Sequence, residues 1–214
     1  AMLLDIIVIV LRETLEASIL IAVLLSVSLS RDIKFSWLPL ALCAGLVGAI
    51  VYGSSLGVIS EWFEYAGQEV VSASLQFGVY LLICILISLH WQSAPISKGL
   101  IRGLMSAIVG TVLIREGGEL YIFYGGFLQG EGMLLSALTS GFVGLAVGLS
   151  VGAIVYYALV ARTVSKTKLL HVIVLALVAA GMVLQATQLL MQVDWVSSTE
   201  PLWDSNWLIA ESSV

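Results

Sequence analysis

The sequence predicts an all-α polytopic membrane protein with six transmembrane helices arranged as two inverted three-helix repeats, and three observations carry that prediction. First, the chain of 214 residues is 60% hydrophobic and 11% charged, with a mean hydropathy of +1.08, which leaves too little polar surface for a soluble domain. Second, the apolar residues gather into six runs, roughly 3–29, 37–60, 68–91, 100–127, 133–160 and 169–192. Each is long enough for a membrane-crossing helix, which needs about 20 apolar residues; a β-barrel would show short alternating segments. Third, the spacing Arg-Glu-x-x-Glu occurs in the first run and again in the fourth.

The first run lacks a basic leader and holds Arg12, Glu13 and Glu16, so it is expected to stay in the mature protein and not to act as a cleaved signal. Seven of the nine Lys and Arg lie in or around three connections: Arg31 and Lys34 after the first run, Lys98 and Arg102 around the link between the third and fourth, and Arg162, Lys166 and Lys168 after the fifth. If the helices alternate, these fall on one side, which the positive-inside rule makes cytoplasmic. The N-terminus is then outside, in a multi-pass protein of the cell inner or plasma membrane. The opposite side is acidic, with Glu61, Glu64 and Glu69 at the link between the second and third runs, Glu131 after the fourth, and Asp194, Glu200, Asp204 and Glu211 after the sixth. That face is either a solvated surface or a funnel that concentrates cations.

Three helices separate the motif copies, so the fourth run crosses opposite to the first. The chain divides into a first three-helix repeat at 1–95, an inverted second repeat at 96–192 and an extracytoplasmic tail at 193–214, a plan common in secondary transporters. Gly45 and Gly48 in the second run, and Gly141, Gly144, Gly148 and Gly152 in the fifth, read as close-packing surfaces between helices. All six Trp stand at run ends or outside the runs, as an aromatic belt would place them. Cys43 and Cys84 have no paired spacing, and His90 and His171 sit singly at run ends, which marks all four as structural.

The chemistry is concentrated in Arg12, Glu13 and Glu16 and in Arg115, Glu116 and Glu119. At about 100° per residue each trio occupies one helix face, near the middle of its run. A charge at that depth costs about 2.5–3.5 kcal/mol to insert, so these six must face each other, water or an ion. Pairing Arg12 with Glu16 and Arg115 with Glu119 across one turn leaves two carboxylates over, a net charge of −2 that a cation or protons would balance. Carboxylate oxygen suits hard ions such as Fe(III), Mn, Mg or Ca. Gly117 and Gly118 either loosen the fourth helix or admit a close neighbour, and Tyr121 and Tyr124 stand one turn beyond.

These residues resemble the oxidase-dependent iron permeases, a family recognised by Arg-Glu-Gly-Leu-Glu in its first and fourth helices and comprising the fungal high-affinity iron permease and bacterial iron-uptake permeases. The matching segments are Arg12-Glu13-Thr14-Leu15-Glu16 and Arg115-Glu116-Gly117-Gly118-Glu119, with Thr14 and Gly118 departing from the pattern. Gly67-Gln68-Glu69 looks like the acidic start of the family's third helix, and Trp203-Asp204-Ser205 with Glu211-Ser212-Ser213 like the segment before its last. The family usually has seven helices; the seventh would follow that segment, beyond Val214.

The resemblance implies a high-affinity iron permease carrying Fe(III) or Fe(II) as substrate. Glu13, Glu16, Glu116 and Glu119 would be metal ligands, Arg12 and Arg115 their supports, and Glu61, Glu64 and Glu69 the acids an ion meets first. An extracytoplasmic iron oxidase or iron-delivery protein is the implied partner, alongside membrane lipid; nucleic acid is not. No hydrolytic or redox machinery is visible, so the chain does not read as an enzyme. Two rival readings use the same features: a proton-coupled exporter or exchanger working through the glutamates, and a non-transporting membrane anchor of an oxidase complex.

Overall fold

The computed structural model describes residues 2–92, 96–127, 133–161 and 164–197. Expectations resting on Glu131, Arg162, Glu200, Trp203, Asp204, Ser205, Trp207 and residues 211–213, and on the Lys166 side chain, lie outside the described residues. Every regular element among them is helical: α1 Met2–Ser30, α2 Trp37–Ile59, a short α3 Trp62–Tyr65, α4 Gly67–Trp91, α5 Lys98–Phe127, α6 Leu134–Val160 and α7 Val164–Gln192. The protein is all-α and membrane-embedded. Four segments, Trp37–Ile59, Gly67–Trp91, Leu134–Val160 and Thr167–Gln192, are long and apolar enough to cross a bilayer. The two remaining long helices, α1 and α5, are 29 and 30 residues long and carry the motif charges.

Each apolar run is a helix because it offers an unbroken series of residues with no Pro in its interior beyond the first turn, where Pro39 of α2 is tolerated. In the hydrocarbon of a membrane the helix also satisfies its own backbone polar groups. The helices pair in a fixed pattern, α1 chiefly with α6, α2 with α5 and α4 with α7. Small residues set the first two pairings. A Cβ on Gly144 would stand 2.7 Å from the Ile7 carbonyl oxygen, one on Gly148 2.6 Å from Thr14, and one on Gly152 2.8 Å from Ser18. Across the other pair, Gly45 faces Leu113, Ala49 faces Gly117, and Gly53 faces the Tyr121 ring.

The two seams match. Val10, Thr14 and Ser18 bear the same relation to Arg12 as Leu113, Gly117 and Tyr121 bear to Arg115, and each trio rides on small residues spaced four apart in the partner helix. In both seams the residue numbers rise together, so α1 runs parallel to α6 and α2 parallel to α5. The third pair is antiparallel, with Gln76 meeting Gln185 and His90 meeting His171.

The largest apolar core lies between these pairs on the Arg31 side of the motifs. It joins Leu20, Val23, Leu24 and Val27 of α1 to Val79, Ile83 and Leu86 of α4, Met105, Ile108 and Val112 of α5, and Leu175, Ala179 and Met182 of α7. Outward faces are apolar too: Leu46, Val47, Ile50 and Val51 on α2, and Phe142, Leu149 and Ile154 on α6, are exposed, as lipid-facing surfaces must be.

Between α2 and α4 the chain turns back through α3, where Phe63, Glu64 and Tyr65 all have positive φ. The return is tight: a Cβ on Gly67 would collide with the Ile59 carbonyl oxygen, so only glycine fits. Trp62, Trp91 and Trp195 are exposed at helix ends, but Trp37 is not part of such a belt. It is buried in the core, and its indole nitrogen donates to Ser28 Oγ at 3.0 Å.

Candidate metal centre

The motif helices enter from opposite ends yet bring their charges to one level. Glu13 stands eleven residues after Met2, the first residue of α1, and Glu116 eleven residues before Phe127, the last of α5. Helix α5 continues without a break through Gly117 and Gly118. Their missing side chains accommodate Ala49 and the Tyr52 ring, so they serve close packing with α2.

Arg115 is the hub. Its side chain is 7% exposed and its guanidinium reaches four carboxylates: Glu116 at 2.5 Å, Glu119 at 2.9 Å, and Glu13 and Glu16 at 3.9 Å each. Its Nε donates to Ser72 Oγ of α4 at 3.3 Å. Arg12 is placed differently. Its side chain is 61% exposed, and its nearest carboxylate is Glu16 at 3.9 Å. The motif is repeated in sequence, but one arginine organises the buried cluster while the other lies at its margin.

Glu13, Arg115 and Glu116 are buried, and Glu119 and Glu16 partly so. One carboxylate oxygen each of Glu13, Glu116 and Glu119 lies within 4.8 Å of the others. Glu13 Oε2 and Glu116 Oε2 are enclosed and accept no hydrogen bond. An enclosed carboxylate oxygen without a donor is costly, so the trio is a ready acceptor for a hard cation or a proton. Glu16 is held apart from it: Gln185 of α7 donates to Glu16 Oε1 at 2.6 Å, and Gln76 of α4 donates to Gln185 Oε1.

A cavity of about 410 Å³ opens toward the start of α4 and reaches Glu13 and Glu119, with Gln68, Glu69 and Ser72 along its wall. Of the three acids expected at the mouth, Glu69 lines this cavity, while Glu61 and Glu64 are exposed around α3. On the far side of the trio the apolar core closes the molecule. Tyr121 is spent on packing over Gly53, and the Tyr124 hydroxyl donates to the Ala137 carbonyl at 3.2 Å.

Sequence reasoning missed three partners of the cluster and one pairing outside it. Ser72 carries no signal, since a serine in an apolar helix is common. Gln76 and Gln185 do: each is an amide well inside an apolar run, and such a group needs a buried partner. His90 and His171, read as separate, are joined at the Arg31 end. Arg31 Nε donates to His90 Nδ1 at 3.2 Å, His90 Nε2 lies 3.3 Å from His171 Nδ1, and His171 Nε2 lies 2.6 Å from Ser26 Oγ. Arginine only donates, so His90 carries its proton on Nε2 and passes the same polarity to His171 and Ser26. This chain ties α1, α4 and α7 together, and the neighbouring guanidinium makes it a poor place for a cation.

Compared with protein-family models, with curated proteins and with solved structures, the chain matches none.

Proposed function

We propose that this chain is an iron permease, related to the oxidase-dependent iron permeases that its motifs resemble, and that iron is its cargo. The observation that carries the reading is the trio Glu13, Glu116 and Glu119, with two enclosed carboxylate oxygens that accept no hydrogen bond at the foot of a cavity lined by Glu69. All six long helices span the membrane in this reading, and the matched seams of α1 with α6 and of α5 with α2 support two inverted three-helix repeats. The Glu69 end is extracytoplasmic, consistent with the basic connections at the Arg31 end.

The acid-lined cavity raises the local cation concentration, and Glu69 meets the ion first. Glu119, at the cavity wall, and then Glu13 and Glu116 replace its water with carboxylate oxygen. Arg115 holds the carboxylates in place and offsets part of their charge. Four glutamates against two arginines leave −2, which Fe(II) neutralises and Fe(III) turns to +1; either charge is far less costly to hold at depth than a bare ion. An extracytoplasmic oxidase or delivery protein would present iron at the cavity mouth.

The test is radiolabelled iron uptake into liposomes containing the chain, offered as Fe(II) with ascorbate or as chelated Fe(III), for wild type, Glu13→Gln and Glu116→Gln. Loss of uptake in both variants is the expected result, and the preferred form gives the valence. Flux that follows a proton gradient and ignores iron would replace this reading with the proton-coupled exchanger.

A further inference from the structure

We propose that Glu16, Gln185 and Gln76 form a second cation station, one step deeper than the Glu13–Glu116–Glu119 trio, from which the ion leaves toward the opposite side. The inference rests on the permease reading and divides its four glutamates into two sets with different tasks.

The geometry separates Glu16 from the other three. Oxygens of Glu13, Glu116 and Glu119 converge, and Glu16 is not among them. The two glutamates of α1 also face different spaces. Glu13 lines the large cavity at the Glu69 end, whereas Glu16 and Gln185 line a separate cavity of about 180 Å³ with Ile19, Val178, Gly181 and Met182. That second cavity lies further along α1 and nearer the start of α7, on the Arg31 side of the trio. Arg115 lies between the sets, 3.9 Å from both Glu13 and Glu16.

The second set carries the mark of an unmet ligand. Gln76 is fully buried, its amide nitrogen donates to Gln185, and its Oε1 accepts nothing. A buried amide oxygen without a donor is costly, and a helix that needed only packing there would carry leucine. Gln185 spends its own donor on Glu16. Rotating both amides lets Gln185 donate to the orphaned Gln76 Oε1, releases Glu16 and turns Gln185 Oε1 toward the space the carboxylate shares. The station then offers one carboxylate and one neutral amide oxygen, that of Gln185 held in place by Gln76, a hard-oxygen set with one negative charge where the trio has three. Fewer charges mean weaker holding, which suits a site that must release its ion.

The test compares binding with transport for wild type, Gln76→Leu and Gln185→Leu. Binding of Fe(II) under ascorbate is measured by equilibrium dialysis of the purified protein in nanodiscs, and transport by radiolabelled uptake into liposomes. Both variants are expected to bind iron at the trio as wild type does, which also shows that they are folded, while uptake falls about tenfold or more. Uptake at the wild-type rate in both variants overturns the second station and leaves the permease reading intact. Parallel loss of binding and uptake overturns it as well, because the glutamines would then belong to one undivided site. A wild-type chain that neither binds nor carries iron overturns the permease reading itself.

Discussion

The two arginines of the repeated motif are equal in sequence and unequal in place, and removing each in turn should reveal it. Arg115→Leu deletes a side chain that is 7% exposed and reaches four carboxylates, two of them within 3 Å. It leaves Glu13 and Glu116 enclosed with no counter-charge. Breaking a buried pair this way costs about 3–5 kcal/mol, or about two to three and a half decades in the folding equilibrium. Arg12→Leu deletes a side chain that is 61% exposed and touches one carboxylate at 3.9 Å, where the expected cost is about 0–1 kcal/mol. The assay is equilibrium unfolding of the solubilised protein by sodium dodecyl sulfate titration, followed by tryptophan fluorescence. A second change sharpens it: adding Glu116→Gln to Arg115→Leu removes one stranded charge and should restore part of the loss, while adding it to Arg12→Leu should not. Equal losses for the two single variants, or no recovery in the double, would refute the hub role of Arg115.

Gly144→Ala should lower stability by about 1–3 kcal/mol, because its Cβ would press on the backbone of Ile7 and Leu11; Gly78→Ala, with open space around it, should gain up to about 1 kcal/mol, and paired unfolding curves decide it. On the permease reading, Glu69→Gln should raise the half-saturating iron concentration and leave the maximal uptake rate unchanged, with a larger effect at low ionic strength. His171→Leu strands His90 Nε2 and Ser26 Oγ in the core and should cost about 1–3 kcal/mol, whereas His171→Gln keeps a donor and an acceptor and should cost less in the same titration.

Hydropathy located the six long helices closely because in a bilayer the length of an apolar run is itself the constraint. It failed where polarity and helicity part: α7 begins at Val164, several residues before its apolar run, since the turn through Ser165, Lys166, Thr167 and Lys168 remains helical without being apolar. The short α3 was invisible, because its left-handed backbone is imposed by the return to Gly67 and not by local preference. Within the site, periodicity placed each trio on one face, but pairing across one turn left Glu116 over, whereas Arg115 lies closer to Glu116 than to Glu119. What it could not supply was the inequality of Arg12 and Arg115, which depends on which helices flank each copy. Trp37 was misplaced for a similar reason: a tryptophan at a helix start is indistinguishable in sequence from a belt residue, and only the Ser28 hydroxyl opposite it decides the matter.

The seams that fasten α1 to α6 and α5 to α2 also set the order of events at the ribosome. Helix α1 is made before the other described helices, and its close-fitting partner α6 emerges only after α2, α4 and α5, so Arg12, Glu13 and Glu16 spend much of elongation without Arg115 or the glycine face that later encloses α1. The α2 helix waits for α5 in the same way. Neither half of the chain can complete its own packing. Assembly is thus a late event in which both halves close on each other at once, and the early charged helix is a natural point for the cell's insertion and quality-control machinery to hold an unfinished chain.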